Sequence, residues 1–205
     1  MIKHQRIYLA SQSPRRRELL KQIGVHYEIL LLRNDSRRES GVDETPHDGE
    51  LPVDYVQRVC REKALTGWET LLLRNLPLFP VLAADTTVTL DGKIIGKPDN
   101  HEHAAEILRM LSGTQHQVLT AVAMAFEERL DMRLSETTIT FDTLSEERIH
   151  RYLLTNEAHD KAGAYGIQGH AGAFVKRIEG SYTGVMGLPL YETVELLKLF
   201  GYPAP

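Results

Sequence analysis

Apolar positions recur along the chain at two periods, and each period predicts an element. "RIYLA" (6–10) is a short strand-like run, and "SPRRRELLKQIG" after it sets Leu19, Leu20 and Ile23 at helical spacing. Ser13 suits the helix cap, Pro14 the first helical position and Gly24 the stop. "HYEILLL" (26–32) predicts a second strand. The stretch from Arg33 to Glu50 is polar and turn-rich, which predicts a long exposed loop. Val53, Val56, Val59 and Cys60 then share a helical stripe, with Lys63 one turn beyond Val59. "GWETLLLRNLPLF" predicts a second helical piece before Pro80.

The later half follows the same logic. "PVLAADTTVTL" predicts a buried strand whose apolar run ends at Asp85, and "LDGK" carries the Asp-Gly signal of a tight hairpin. Asp99 or Asn100 can cap a helix with Ala104, Ile107, Leu108 and Leu111 inside and Gly113 at its end. "HQVLTAVAMAF" and "LSETTITFDTL" predict an antiparallel pair separated by "EERLDM". A helix over "SEERIHRYLLTNE", a glycine-rich loop, a strand over "FVKRIEGSY" and a closing helix over "LPLYETVELLKLFG" complete the series. Helices alternate with strands, but hairpins are mixed in. The expectation is a single α/β domain over 1–205 with a mixed, twisted sheet.

Composition narrows the function classes. The 205 residues are 42% hydrophobic and 25% charged with a net charge of −4, so the whole-chain basic footprint of a nucleic-acid binder is absent. A single cysteine, Cys60, excludes an internal disulfide, a CxxC pair and a cysteine zinc cage, and its apolar stripe predicts a core thiol. The first ten residues do not read as a signal peptide, and no segment approaches the roughly 20 apolar residues of a membrane span. The default expectation is a cytoplasmic protein without a membrane partner.

Three stretches carry chemistry. In "LASQSPRRREL", Arg15, Arg16 and Arg17 fall at the start of a helix, the end where the macrodipole and free N–H groups are already positive. Either the arginines are solvated or an anion makes the arrangement favourable. In the second case the Ser11 and Ser13 hydroxyls, backbone N–H groups and Arg15 or Arg16 converge on phosphate while Arg17 faces solvent. Asp85 follows an apolar run and precedes Thr86 and Thr87, so it needs a partner: a metal, a lysine or backbone donors. A metal ligand and a general base are the two functional readings, against a turn-capping aspartate. Lys63 and Lys97, the latter between Gly96 and Pro98, are candidate phosphate partners or plain solvated lysines. The loop "DKAGAYGIQG" lacks the GK[ST] ending of a P-loop. Its three glycines allow close backbone approach to a ligand, and Gln168 offers a donor and an acceptor to a nucleobase edge. The alternative is a tether between helix and strand.

"LASQSPRRRELL", "AADTTV", "GKP", "DKAGAYGIQG" and "GSYTGVMGLPL" occur in order along nearly the whole chain. In these stretches the chain resembles the Maf family of nucleoside triphosphate pyrophosphatases and looks most like its dTTP/UTP branch. The resemblance implies a fold similar to the inosine triphosphate pyrophosphatases, with two lobes around a deep cleft, a homodimer, and Mg²⁺ or Mn²⁺ as cofactor. It places the family's proton acceptor on Asp85 and its phosphate-binding arginines on Arg15 and Arg16. The site lysines fall on Lys63 and Lys97, and the positions linked to substrate choice on Arg16, Thr86 and Gln168. The loop glutamate falls on Glu44, with Asp43 as the alternative carboxylate, and Glu44 and Asp85 are the implied metal ligands. Competing expectations are the 7-methyl-GTP branch, which usually lacks this form of the glycine-rich loop, and a non-catalytic nucleotide binder that regulates cell division.

Overall fold

Short, nearly all-apolar runs build the centre of a mixed sheet, and amphipathic helices cover it. The computed structural model describes residues 4–32 and 42–203. Strands are β1 (Ile7–Leu9), β2 (Tyr27–Ile29), β3 (Val81–Leu90), β4 (Lys93–Ile95), β5 (Gln115–Phe126), β6 (Arg129–Phe141) and β7 (Val175–Glu179). Helices are α1 (Pro14–Gln22), α2 (Pro52–Leu73), α3 (His101–Leu111), α4 (Glu146–Leu153), α5 (Tyr182–Met186) and α6 (Leu190–Leu199). The sheet order is β2-β1-β3-β5-β6-β7, with β4 also on β3. β1 runs parallel to β2 and β3, and every other pairing is antiparallel. The expected α/β class with a mixed sheet is what the chain adopts.

The edge of β3 is shared, and this creates the site. β1 pairs with Val81 and Leu82, whereas β4 pairs with Val88, Thr89 and Leu90. Between them, no strand among the described residues covers that edge of Ala83–Thr87. The gap in the sheet is where the chain leaves β1 toward α1 and leaves β4 toward Lys97.

Two lobes meet at this gap. In one lobe, Val81 and Ala83 pack under α2 with Val56, Cys60 and Ala64, while Leu82 and Ala84 pack on the opposite face with Leu19, Leu20, Leu196 and Leu197 from α1 and α6. In the other, Val88, Val118, Ile139 and Phe141 pack with α3, α4 and the glycine-rich segment. The two-residue period of β3 puts Asp85 on the α2 face and Thr86 on the opposite one.

Several sequence expectations need correction. Asp85 is not a turn cap: it lies within the ten-residue strand β3, paired with Ala121. The two helical pieces expected between residues 53 and 79 are one 22-residue helix, α2. Gly67 does not break it but lets it approach β3: a Cβ there would stand 2.7 Å from Val81 Cγ1. The separator "EERLDM" shrinks to Glu127 and Glu128, because Phe126 already pairs with Arg129. The strand expected over 26–32 is only the three residues of β2, and α5 was not anticipated. Of the expected polar loop, residues 33–41 lie outside the described residues.

Candidate active site

The cleft between the lobes has a volume of about 770 Å³, and every site residue named from the sequence lines it: Ser11, Ser13, Arg15, Arg16, Glu44, Lys63, Asp85, Thr86, Lys97 and Gln168. Tyr55, Asp160, Lys161 and Gly187 line it as well and had not been singled out. Five lysines and arginines face three carboxylates among the described lining residues, so the cleft is cationic within an acidic chain. That balance attracts a polyanion.

One wall is built by α1. Ser13 caps the helix by accepting from Arg16 N at 3.5 Å. Ser11 Oγ accepts from Ser13 N at 3.2 Å and from Arg16 Nη1 at 3.2 Å, which fills both lone pairs and leaves its own O–H for an acceptor in the cleft. Arg16 is pinned from three directions. Its Nε donates to Gly187 O at 2.8 Å, Nη1 to Ser11 Oγ, and Nη2 to Thr86 Oγ1 at 3.4 Å. The Gly187 carbonyl reaches Arg16 because Gly187, at φ 110°, ends α5 in a conformation that suits glycine. Burial pulls the Arg16 guanidinium down from its ordinary value, against the pull of Asp85, but an arginine stays cationic. Thr86 Oγ1 also accepts from Thr120 Oγ1 at 3.0 Å.

Arg15 is the looser arginine. Its Nη1 lies 3.4 Å from Asp160 Oδ2 across the cleft, so the free protein places a carboxylate of its own beside a candidate phosphate-binding group. Lys161 Nζ meets the other oxygen of Asp160 at 2.6 Å. Arg17 does not face solvent as expected. It is half-buried outside the cleft, with a buried Nε that has no hydrogen-bond partner among the described residues.

The opposite wall holds the carboxylates. Lys63 Nζ lies 2.7 Å from Asp85 Oδ1 and 2.9 Å from Glu44 Oε1. Lys63 reaches both because it continues the Val59–Cys60 stripe of α2, which lies directly over the Asp85 face of β3. Burial and then Asp85 push the Cys60 thiol up to about 12, so this core cysteine is no nucleophile near neutral pH. Partial burial alone would raise the Glu44 carboxyl, but Lys63, Lys97 and Arg16 outweigh it and hold it below its ordinary value. Asp43, the alternative carboxylate, turns away: its Oδ1 accepts from Thr45 N at 2.8 Å, and it does not line the cleft.

Two carboxylates thus converge on one positive charge. That donor set suits a hard divalent cation such as Mg²⁺ or Mn²⁺. No group of three His, Cys, Asp or Glu side chains able to hold a metal occurs among the described residues. Glu44 and Asp85 are the carboxylates that could hold one, with water and phosphate oxygens as the other ligands in the usual manner for Mg²⁺.

The glycine-rich segment closes the far side, folded as short 3₁₀ turns over Ala162–Ala164 and His170–Phe174. Its glycines serve close packing on the protein itself more than on a ligand. Gly163, at φ 72°, lies against Val88, a Cβ on Gly166 would meet Lys161, and one on Gly169 would meet Glu157. Gln168 is exposed on the cleft rim. Tyr165, on the wall, is held by His116 Nε2 at 2.8 Å.

The pattern of the Maf-like protein family matches residues 6–200. A protein of Nitrosomonas europaea named dTTP/UTP pyrophosphatase is 55% identical over 95% of this chain and 94% of its own length. One of Dechloromonas aromatica with the same name is 53% identical over 96% and 98%. Among solved structures, the Staphylococcus aureus Ham1 protein is similar at a TM-score of 0.43 and 16% identity, over 67% of this chain and 71% of that one.

Proposed function

Because the chain belongs to the Maf-like protein family, we propose that it is a nucleoside triphosphate pyrophosphatase that hydrolyses dTTP and UTP to the monophosphate and pyrophosphate. The observation that carries this reading is the Glu44–Lys63–Asp85 cluster, set across a cationic cleft from the serines and arginines of α1. Relatives at 53–55% identity bear that activity in their names.

In this reading the triphosphate lies between Arg15, the Ser11 hydroxyl and the N-terminus of α1 on one side and Lys63 and Lys97 on the other. Asp85 accepts a proton from the attacking water, and Lys63 orients its carboxylate. Water attacks the α-phosphorus, the bond to the bridging oxygen breaks, and pyrophosphate leaves. A divalent cation held by Glu44 and Asp85 supplies charge neutralisation on the phosphates when bound. Arg16, pinned in place, fixes the hydroxyls of Ser11 and Thr86 and forms a static positive wall.

Uracil and thymine share an acceptor–donor–acceptor edge and differ by a methyl group, worth only ~1–3 kcal/mol in a pocket. Both are accepted, and so are pyrimidine analogues modified at that position. Cytosine reverses part of the pattern and leaves groups unpaired against Gln168 and Thr86. We further read the protein as one domain, cytoplasmic and homodimeric, acting on free nucleotides rather than nucleic acid. The net charge of −4 supports that choice of ligand, and no helix among the described residues is long and apolar enough to cross a membrane.

The test is pyrophosphate release from dTTP, UTP, CTP, GTP and 7-methyl-GTP with Mg²⁺ or Mn²⁺, with and without chelator. Turnover led by dTTP and UTP and lost with chelator is expected. A preference for 7-methyl-GTP would move the protein to the other branch, and nucleotide binding without release would make it a binder.

A further inference from the structure

Glu44 belongs to a segment that, from residue 42 to 51, is neither helix nor strand, yet its carboxylate is aimed at Lys63 Nζ. What holds it is a set of side chains on α2. Arg58 Nη1 donates to Asp43 O at 3.0 Å and Nη2 to Thr45 O at 3.0 Å, which grips the peptide carbonyls on both sides of Glu44. The carbonyl of Glu44 itself accepts from Tyr55 Oη at 2.9 Å. Tyr55 and Arg58 stand three residues apart on one helix face, with the Arg58 guanidinium 5.6 Å from the Tyr55 ring centre. Arg58 is further locked by Glu50, whose two oxygens accept from Nε at 2.7 Å and Nη2 at 2.9 Å.

Three successive carbonyls are therefore tied to the helix that also carries Lys63. Arg58 does not line the cleft, and it touches neither Asp85 nor Lys63 among the contacts described. Resting on the reading of Glu44 as a site carboxylate, we propose that Arg58 is the positioning residue that presents Glu44 to the cleft. Its planar fork reaches two backbone carbonyls and a carboxylate at once. A lysine, with one point of charge, cannot serve all three.

The experiment is a double-mutant cycle on kcat/KM for dTTP with Glu44→Gln, Arg58→Ala and the pair, with Arg58→Lys and Glu50→Gln as companions. Arg58→Ala should lose about tenfold or more, and Arg58→Lys should regain little of it. In the Glu44→Gln background, Arg58→Ala should cost almost nothing further, because its effect passes through Glu44. Glu50→Gln should give a smaller loss that is likewise absorbed in the Glu44→Gln background. Losses that multiply, a silent Arg58→Ala, or a silent Glu44→Gln beside a damaged Arg58→Ala would each overturn the proposal.

Amide hydrogen exchange gives a second readout that does not depend on turnover. Arg58→Ala should speed exchange in residues 42–50 and leave β3 protected. Unchanged exchange in 42–50, or loosening of β3 as well, overturns the proposal. Should the unaltered protein release no pyrophosphate from dTTP or UTP, the pyrophosphatase reading fails on its own, and the exchange arm still decides whether Arg58 holds the segment.

Discussion

Lys63 Nζ and Asp85 Oδ1 lie 2.7 Å apart, with the two side chains only 15% and 9% exposed. The two residues are 22 positions apart in sequence, and the pair exists only because α2 lies flat on β3. Asp85→Asn keeps an acceptor for Lys63, so folding should be little changed, while dTTP turnover falls by about a hundredfold or more as the proton acceptor is lost. Lys63→Met leaves Asp85 without its nearest cation and should destabilise by about 1–3 kcal/mol, the range for a largely buried group left unpaired. Urea unfolding of the two variants beside turnover measures both effects. Full activity in Asp85→Asn would remove it from the chemistry.

Arg16 makes three hydrogen bonds to three separate parts of the chain, at Gly187, Ser11 and Thr86. Arg16→Lys should therefore behave like Arg16→Ala, with a large loss of kcat/KM and a lowered melting temperature, although the charge is kept. Arg17→Ala should leave turnover intact, since Arg17 lies outside the cleft. A fully active Arg16→Lys would mean that charge alone is needed there.

The close seating of α2 depends on Gly67. Gly67→Ala places a methyl 2.7 Å from Val81 Cγ1, so helix and strand must separate. A cost of about 1–3 kcal/mol is expected, with a drop in kcat because Lys63 moves with the helix. Adding Val81→Ala should recover part of the turnover by making room. If the double variant is no better than Gly67→Ala, the contact with Val81 is not what sets the spacing.

His116 provides the pH prediction. Burial lowers it from 6.5 to about 4, so it stays neutral in the folded protein at pH values where the unfolded chain takes up a proton. Below about pH 6.5 the unfolded state binds more protons, and stability falls until the folded value near 4 is reached. Between pH 7 and pH 5 the loss from this residue is ~2 kcal/mol. His4, also lowered by burial, acts in the same sense. Urea unfolding at the two pH values should show a clearly smaller loss for His116→Gln than for the unaltered protein. Equal losses would assign the pH dependence elsewhere.

Local pattern made most of the fold legible. The helix over 14–22 was readable from Ser13, Pro14 and its apolar stripe, and the Asp91–Gly92 turn from its dipeptide, with φ values of 50° and 74°. The start of β6 was harder, because its partly buried residues Leu130 and Met132 sit among charges and were read as a connector. α5 was missed since its five residues are too few to show a period. The asparagine cap of α3 was one of two candidates, and the accepted bond from His103 N decides for Asn100.

For the candidate site, the sequence by itself determined the chemical inventory and much of its placement. Serines before a helix, arginines in its first turn, a carboxylate in an apolar strand and a glutamine on a glycine-rich turn are all local facts, and all of these but Arg17 line the cleft. What only the tertiary structure decided is which groups meet and which are already engaged. Arg16 is held by Gly187, 171 residues away, Arg15 meets Asp160 across the cleft, and Glu44 rather than Asp43 reaches Lys63 because Arg58 and Tyr55 fix its backbone. Residue type and period are written along the chain. Pairing across 20 to 170 residues depends on where a shared strand edge is left open and how closely a helix seats on it, and neither quantity has a local signature.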